Sequence, residues 1–173
     1  MKNNSVRIVG TVCSNFEYSH SVCGEKIYLS YVSFRRSSGA EDILPVHVSE
    51  RLLAHQGDML GQRVEIEGSF RNYNYRTKDA RRGTTLYIFA DLFRLTTVEE
   101  DSNDIVIEGY ICRPPVYRKT TSGRSITDTT IVVYRDVVKT SDYLPLIAWA
   151  RNAGYVAGLE VGDRIKAYGR IQS

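Results

Sequence analysis

The chain has 173 residues, 42% hydrophobic and 25% charged, with 23 basic against 20 acidic side chains and a net charge of +3. This is the composition of a folded water-soluble chain, not a disordered one, and no stretch approaches the roughly 18 apolar residues of a membrane span. Cys13, Cys23 and Cys112 show no Cys-x-x-Cys spacing and have only His20, His47 and His55 to join them, so no metal or cofactor is expected and the thiols read as buried and free.

The first element in chain order is Val6-Arg7-Ile8-Val9-Gly10-Thr11-Val12, whose alternation predicts a half-buried strand, with Gly10 marking a bend or bulge. A polar turn around Gly24 leads to a second strand at Ile27-Tyr28-Leu29-Ser30-Tyr31-Val32-Ser33-Phe34. Ser37-Ser38-Gly39 then separates it from a third at Ile43-Leu44-Pro45-Val46-His47-Val48. Residues 50–57 predict a short helix, residues 61–70 a fourth strand, and Thr85-Leu86-Tyr87-Ile88-Phe89-Ala90 a fifth after a long polar loop. No secretory signal opens the chain, which makes the cytoplasm the expected compartment.

The order then starts again. Asn4-Ser5-Val6-Arg7-Ile8-Val9-Gly10-Thr11-Val12-Cys13 returns as Asn103-Asp104-Ile105-Val106-Ile107-Glu108-Gly109-Tyr110-Ile111-Cys112, and at the same spacing Tyr18, Gly24, Ile27 and Arg36 answer Tyr117, Gly123, Ile126 and Arg135. One inserted residue later Asp42, Leu44 and Pro45 answer Asp142, Leu144 and Pro145; after another, Gly61, Arg63 and Gly68 answer Gly162, Arg164 and Gly169. A repeat of this length is the size of a small domain, so two domains are expected, 1–98 and 99–173. Strand, strand, strand, helix, strand, strand is the order of an oligonucleotide/oligosaccharide-binding barrel, although a sandwich is also compatible with it. Ser173 corresponds to Asn72 and nothing in the second repeat answers residues 73–97, so the second barrel is expected to lack its last strand and to leave an edge that is either open or covered by a neighbouring segment.

Charge is concentrated where that last piece begins. Arg71, Arg76, Lys78, Arg81 and Arg82 stand against Asp79 alone in residues 71–82, the expected place for phosphate contact, with a solvated hairpin as the alternative.

The ordered set Asn103-Asp104-Ile105-Val106-Ile107-Glu108-Gly109, Val133-Tyr134-Arg135, Asp142-Tyr143-Leu144-Pro145-Leu146-Ile147-Ala148-Trp149-Ala150-Arg151, Gly162-Asp163-Arg164-Ile165 and Gly169-Arg170-Ile171 resembles the bacterial single-stranded DNA-binding protein family. It covers the second repeat and, more weakly, the first. The resemblance implies two tandem barrels in a mainly all-β chain, base stacking on Tyr143 and Trp149, and a stacking loop at Tyr75 and Tyr73. Arg71, Arg76, Lys78, Arg81, Arg82, Arg135 and Arg151 are the implied backbone contacts. It also implies a homodimer supplying four barrels, in replication, recombination or repair. The first repeat departs from the pattern with Ile43 and Ser49 at the stacking positions, and the family's acidic tail is absent. For Trp149 and Tyr143 a place in the core, and for Arg36, Arg135 and Arg151 a structural ion pair, remain the alternatives.

Catalysis is not expected. No Gly-x-Ser-x-Gly, phosphate loop, His-Glu-x-x-His or Cys/His dyad is present, and neither Asp42 nor Asp142 has a second carboxylate placed alike in both repeats for a metal. The expected partner is single-stranded DNA, with no membrane and no small-molecule substrate. The competing functions are a protein-interaction or primosome-type scaffold and single-stranded RNA binding, since stacking does not read the sugar.

Overall fold

A computed structural model describes residues 2–173. The first repeat forms β1 (Asn4–Val12), β2 (Glu17–Val22), β3 (Glu25–Arg35), β4 (Glu41–Ser49), α1 (Glu50–Leu53), β5 (Arg63–Arg76) and β6 (Arg82–Leu95). β1 runs antiparallel to β5 from Val6 opposite Gly68 to Thr11 opposite Arg63, and its far end also pairs with β3, Thr11 opposite Ser33. β3 pairs with β4, β4 runs parallel to β6 with Val46 opposite Ile88, and β6 returns along β5. Followed from partner to partner, β1, β3, β4, β6 and β5 close on themselves. Ile8, Val32, Phe34, Val46, Ile66 and Ile88 point into the closed space and are essentially inaccessible. Gly10 permits β1 to serve two partners, because a Cβ there would strike the Ser33 carbonyl and Val32.

The second repeat forms β7 (Ser102–Ile111), β8 (Val116–Lys119), β9 (Ser125–Arg135), β10 (Thr140–Trp149), α2 (Arg151–Ala157) and β11 (Arg164–Gly169). β7 pairs with β9 and with β11, β9 with β10 and β8, and β10 ends the strand order with β9 as its neighbour. Gly109 repeats the role of Gly10, facing the Val132 carbonyl. The chain separates into two compact units. One comprises Lys2–Val106 with Tyr168–Ser173, the other Ile107–Ala167, so the division falls inside β7. The Asn103 side chain links β7 to the tail, donating to the Ile171 carbonyl at 2.5 Å and accepting from the Ile171 N–H at 3.0 Å. Asn4 makes the same pair of bonds with Phe70, at 2.6 and 2.9 Å.

Four local features differ from the sequence-based expectation. The polar turns near Gly24 and Gly123 are hairpins with their own strands, β2 and β8. Cys23 and Gly24, both with positive φ, form a two-residue turn whose twist suits the flanking strands. The loop expected at residues 71–82 is mostly ladder: Tyr73 pairs with Thr85, Tyr75 with Gly83 and Arg76 with Arg82, leaving a tight turn at its tip. α1 is only four residues long and gives way to irregular chain in which His55 and Gly57 have positive φ. The cysteines are free but not buried, with Cys13 and Cys23 exposed and Cys112 half-buried. Cys23 sits at a hairpin tip, which has no interior side.

Candidate nucleic-acid interface

The extended ribbon of β5 and β6 carries one half of the expected residues. Beyond the shift in register between Glu67 and Gly68, alternation sends Phe70 and Asn72 inward and Arg71, Tyr73 and Tyr75 outward. Tyr73 and Tyr75 are exposed, and Arg76, Lys78, Arg81 and Arg82 surround the tip. The tip is closed by the Thr77 N–H donating to the Arg81 carbonyl at 2.8 Å, the Ala80 N–H donating to the Thr77 carbonyl, and Ala80 in the left-handed region. Among the described residues no ion pair involves Arg76, Lys78, Arg81 or Arg82. At the opposite end of the β5–β6 ladder Arg7 and Arg94 are both held by Glu65, whose carboxyl they keep below the usual carboxylate range, Arg94 most. Residues 76–82 thus set four cations against the single carboxylate of Asp79.

Below the tip, the same face is aromatic in a way the sequence did not announce. The Arg71 guanidinium lies 4.1 Å from the Phe89 ring centre, and His47 stacks on Tyr87 with centroids 4.2 Å apart and His20 beyond it at 5.5 Å. Burial, then the neighbouring His20, pushes the His47 pKa down to about 4, so its ring is an uncharged plane at neutral pH. Strand parity at Tyr87 and Phe89 was the available signal, once β6 was known to lie beside β4.

The other half of the expected residues lies in the other compact unit. Tyr143 and Trp149 stand on β10, 52% and 43% exposed, so neither occupies the core. Tyr143 faces Val132 across the ladder and Val132 faces Tyr110 on β7, which puts two exposed tyrosines at the ends of one row. Tyr134 and Ile147 add exposed apolar surface. Tyr110 was missed because its strand was read for its buried face alone. Arg151 is exposed at the start of α2. Arg135 is occupied: its Nε lies 2.9 Å from Oδ2 of the fully buried Asp142, as Arg36 lies against Asp42 at 2.5 Å in the first repeat. Phosphate contact by Arg135 thus competes with an ion pair common to both repeats. No group of three or more potential metal ligands occurs among the described residues.

No family model and no curated protein matches the chain. Solved structures do. The wild-type single-stranded DNA binding protein from Thermus aquaticus is 18% identical, with a TM-score of 0.78 over 96% of this chain and 84% of its own. A deletion mutant of that protein is 21% identical, with a TM-score of 0.77 over 96% and 85%. The fold is shared. The chain is mainly β, with the first repeat a closed barrel of the oligonucleotide-binding type and the second without an element answering β6 among the described residues.

Proposed function

We propose that the protein binds single-stranded DNA without catalysing a reaction on it. The observation that carries this is the pairing of exposed rings with clustered cations: Tyr110, Tyr143 and Trp149 in one unit, Tyr73 and Tyr75 with the arginine-rich tip in the other. A single strand offers a π-face and a phosphate at every nucleotide, and each stacked base contributes roughly 1 to 3 kcal/mol with little sequence preference. Rings serving only to fill a core would not be left in water on a sheet face. The same reading takes the repeats 1–98 and 99–173 as the working domains, a homodimer with four of them as the assembly, and cytoplasmic replication, recombination or repair as the setting. Its support is the resemblance in sequence and the fold shared with the Thermus aquaticus protein.

Trp149 is the chain's one tryptophan, so its fluorescence reports on β10 alone. Titration with oligo(dT) should quench it in a saturable manner. Affinity should fall with salt by about 0.7 log units per log unit for each phosphate neutralised. Replacing Arg76, Arg81 and Arg82 together by alanine should flatten that slope. Unquenched fluorescence with full occupancy would remove β10 from the interface, and an unchanged slope would remove the ribbon tip. Oligo(rU) in parallel decides between DNA and RNA.

A further inference from the structure

Glycine at position 83 is not required by its backbone, since Gly83 is not among the positive-φ residues. Gly10, Gly68 and Gly109 leave room for neighbouring main chain, and a Cβ on any of them would meet the carbonyl of Ser33, Phe89 or Val132. The space beside Gly83 is filled differently. A Cβ there would fall against Cζ, Oη and Cε2 of Tyr75, the residue directly opposite on β5. The tyrosine ring thus lies across the bare glycine backbone, and it is still 41% exposed. An aromatic ring laid over a cross-strand glycine is a known way of satisfying both residues in a sheet.

We propose that Gly83 is a positioning residue for nucleic-acid binding. Its missing side chain seats the Tyr75 ring as a preformed shelf for one unpaired nucleobase, an inference that rests on the ribbon being part of the interface. A free tyrosine on a ribbon would have to give up rotamer freedom when a base stacked on it. One already held against Gly83 has given up that freedom on folding, which is worth about two- to tenfold in affinity. Alanine at position 83 would displace the end of a flexible side chain and no main chain, so the fold should tolerate it. Alanine also has the higher strand preference. Stability should therefore hold or rise while binding weakens, a combination that a merely structural glycine does not produce.

The test is a double-mutant cycle on the full chain with labelled oligo(dT) at fixed ionic strength. Gly83→Ala should weaken binding about two- to tenfold when Tyr75 is present. It should change nothing in the Tyr75→Ala background, and it should not lower the thermal midpoint. Equal losses in both backgrounds, or no loss in either, overturn the proposal. The seat itself is read without DNA. Ring current from Tyr75 should shift the Gly83 α-proton resonances upfield, and Tyr75→Leu should return them. Unshifted resonances overturn the seat. Shifted resonances together with wild-type affinity in Tyr75→Ala overturn instead the placing of the ribbon in the interface.

Discussion

The two repeats pair their strands in the same register and fill it with different chemistry. In the first, the row across β1, β3 and β4 is Thr11, Ser33 and Ile43; in the second, the same row across β7, β9 and β10 is Tyr110, Val132 and Tyr143. At the end of the third strand the first repeat has Ser49, buried, with its hydroxyl accepting from the Arg51 N–H at 3.1 Å to cap α1. The second has Trp149 there, exposed, and Ala150 precedes α2 with no side-chain hydrogen bond to cap it. The first repeat uses this face to finish its own fold and presents its cations on a ribbon, whereas the second leaves aromatic rings in solvent. What is common to both, Gly10 and Gly109, Asn4 and Asn103, Arg36–Asp42 and Arg135–Asp142, makes the frame. What differs lies on the outward face.

The frame should give the largest effects. Asp42 and Asp142 are fully buried carboxylates beside arginines. Removing one partner of such a pair strands the other, at a cost of about 3 to 5 kcal/mol. Arg36→Ala and Arg135→Ala, which leave the fully buried aspartates uncompensated, should both approach that loss in urea unfolding, and a mild effect at Arg135 would show that the repeats do not share their frame. Hydrogen bonds from Arg36, above all, hold the Asp42 carboxyl below its usual range. A depressed carboxylate stabilises the fold above its unfolded-state pKa and loses that contribution as pH falls through the folded value, so this loss should come below the ordinary aspartate range.

His47 offers an acid response at higher pH, confined to the first repeat because Ile147 holds the matching place in the second. The folded pKa of about 4 lies below the unfolded value. Neutral imidazole therefore favours the fold, and the unfolded chain takes up the extra proton between roughly pH 6.5 and 4. Stability should be full above that window, fall as pH drops through it, and show no further dependence on this group below about 4. His47→Ile should flatten the decline. If the decline persists unchanged in unfolding measured from pH 7 to 4, the imidazole is not its source.

The outward faces can be exchanged. Tyr143→Ile and Tyr110→Thr, which give the second repeat the row of the first, should each weaken oligo(dT) binding by roughly 1 to 3 kcal/mol with little change in melting. Ile43→Tyr with Thr11→Tyr should strengthen it. Weakened binding accompanied by unfolding would show that the tyrosines support the core.

Much of this was legible in the sequence because a repeat supplies its own internal control. Strand order and the offset between Asp42 and Asp142 follow from patterning applied twice, whereas the stacking role of Tyr143 came from the family resemblance, with the core left open as its alternative. Three features were hidden. The ladder at Tyr73, Tyr75 and Arg76 was obscured by charge, since a two-stranded ribbon has no buried face to impose alternation. The contact of Tyr87 with His47 depends on β4 lying beside β6, a long-range parallel pairing that no local signal encodes, and that of Phe89 with Arg71 on the register of β5 against β6. The two outcomes for arginine, paired at Arg135 and outside any ion pair at Arg76, depend on whether a carboxylate is buried nearby, which composition does not reveal.

The smallest effects concern two alanines where the backbone asks for glycine, and they test the cost of the departures. Ala150, immediately after Trp149, has φ 53° and ψ −124°, a region that β-carbon sterics make expensive, with residues there costing of order 1 to 3 kcal/mol. Ser49, the residue that caps the first helix, has an ordinary extended conformation at φ −68° and ψ 144°. Ala150→Gly should therefore stabilise the second repeat by about 1 kcal/mol, while its counterpart Glu50→Gly should destabilise the first, because Glu50 lies inside α1. Ala80 at the ribbon tip, φ 59°, is in the milder left-handed region that glycine at Gly39 and Gly123 takes up in the matching turns at Arg36–Ala40 and Thr120–Arg124. Ala80→Gly should gain about 0.5 kcal/mol or less, visible as slower exchange of the Arg81 and Ala80 amides and not as a higher melting temperature. A gain at Ala80 that exceeds the gain at Ala150 would mean that the chain entering α2 is not strained, and that keeping Trp149 in solvent costs the second repeat nothing.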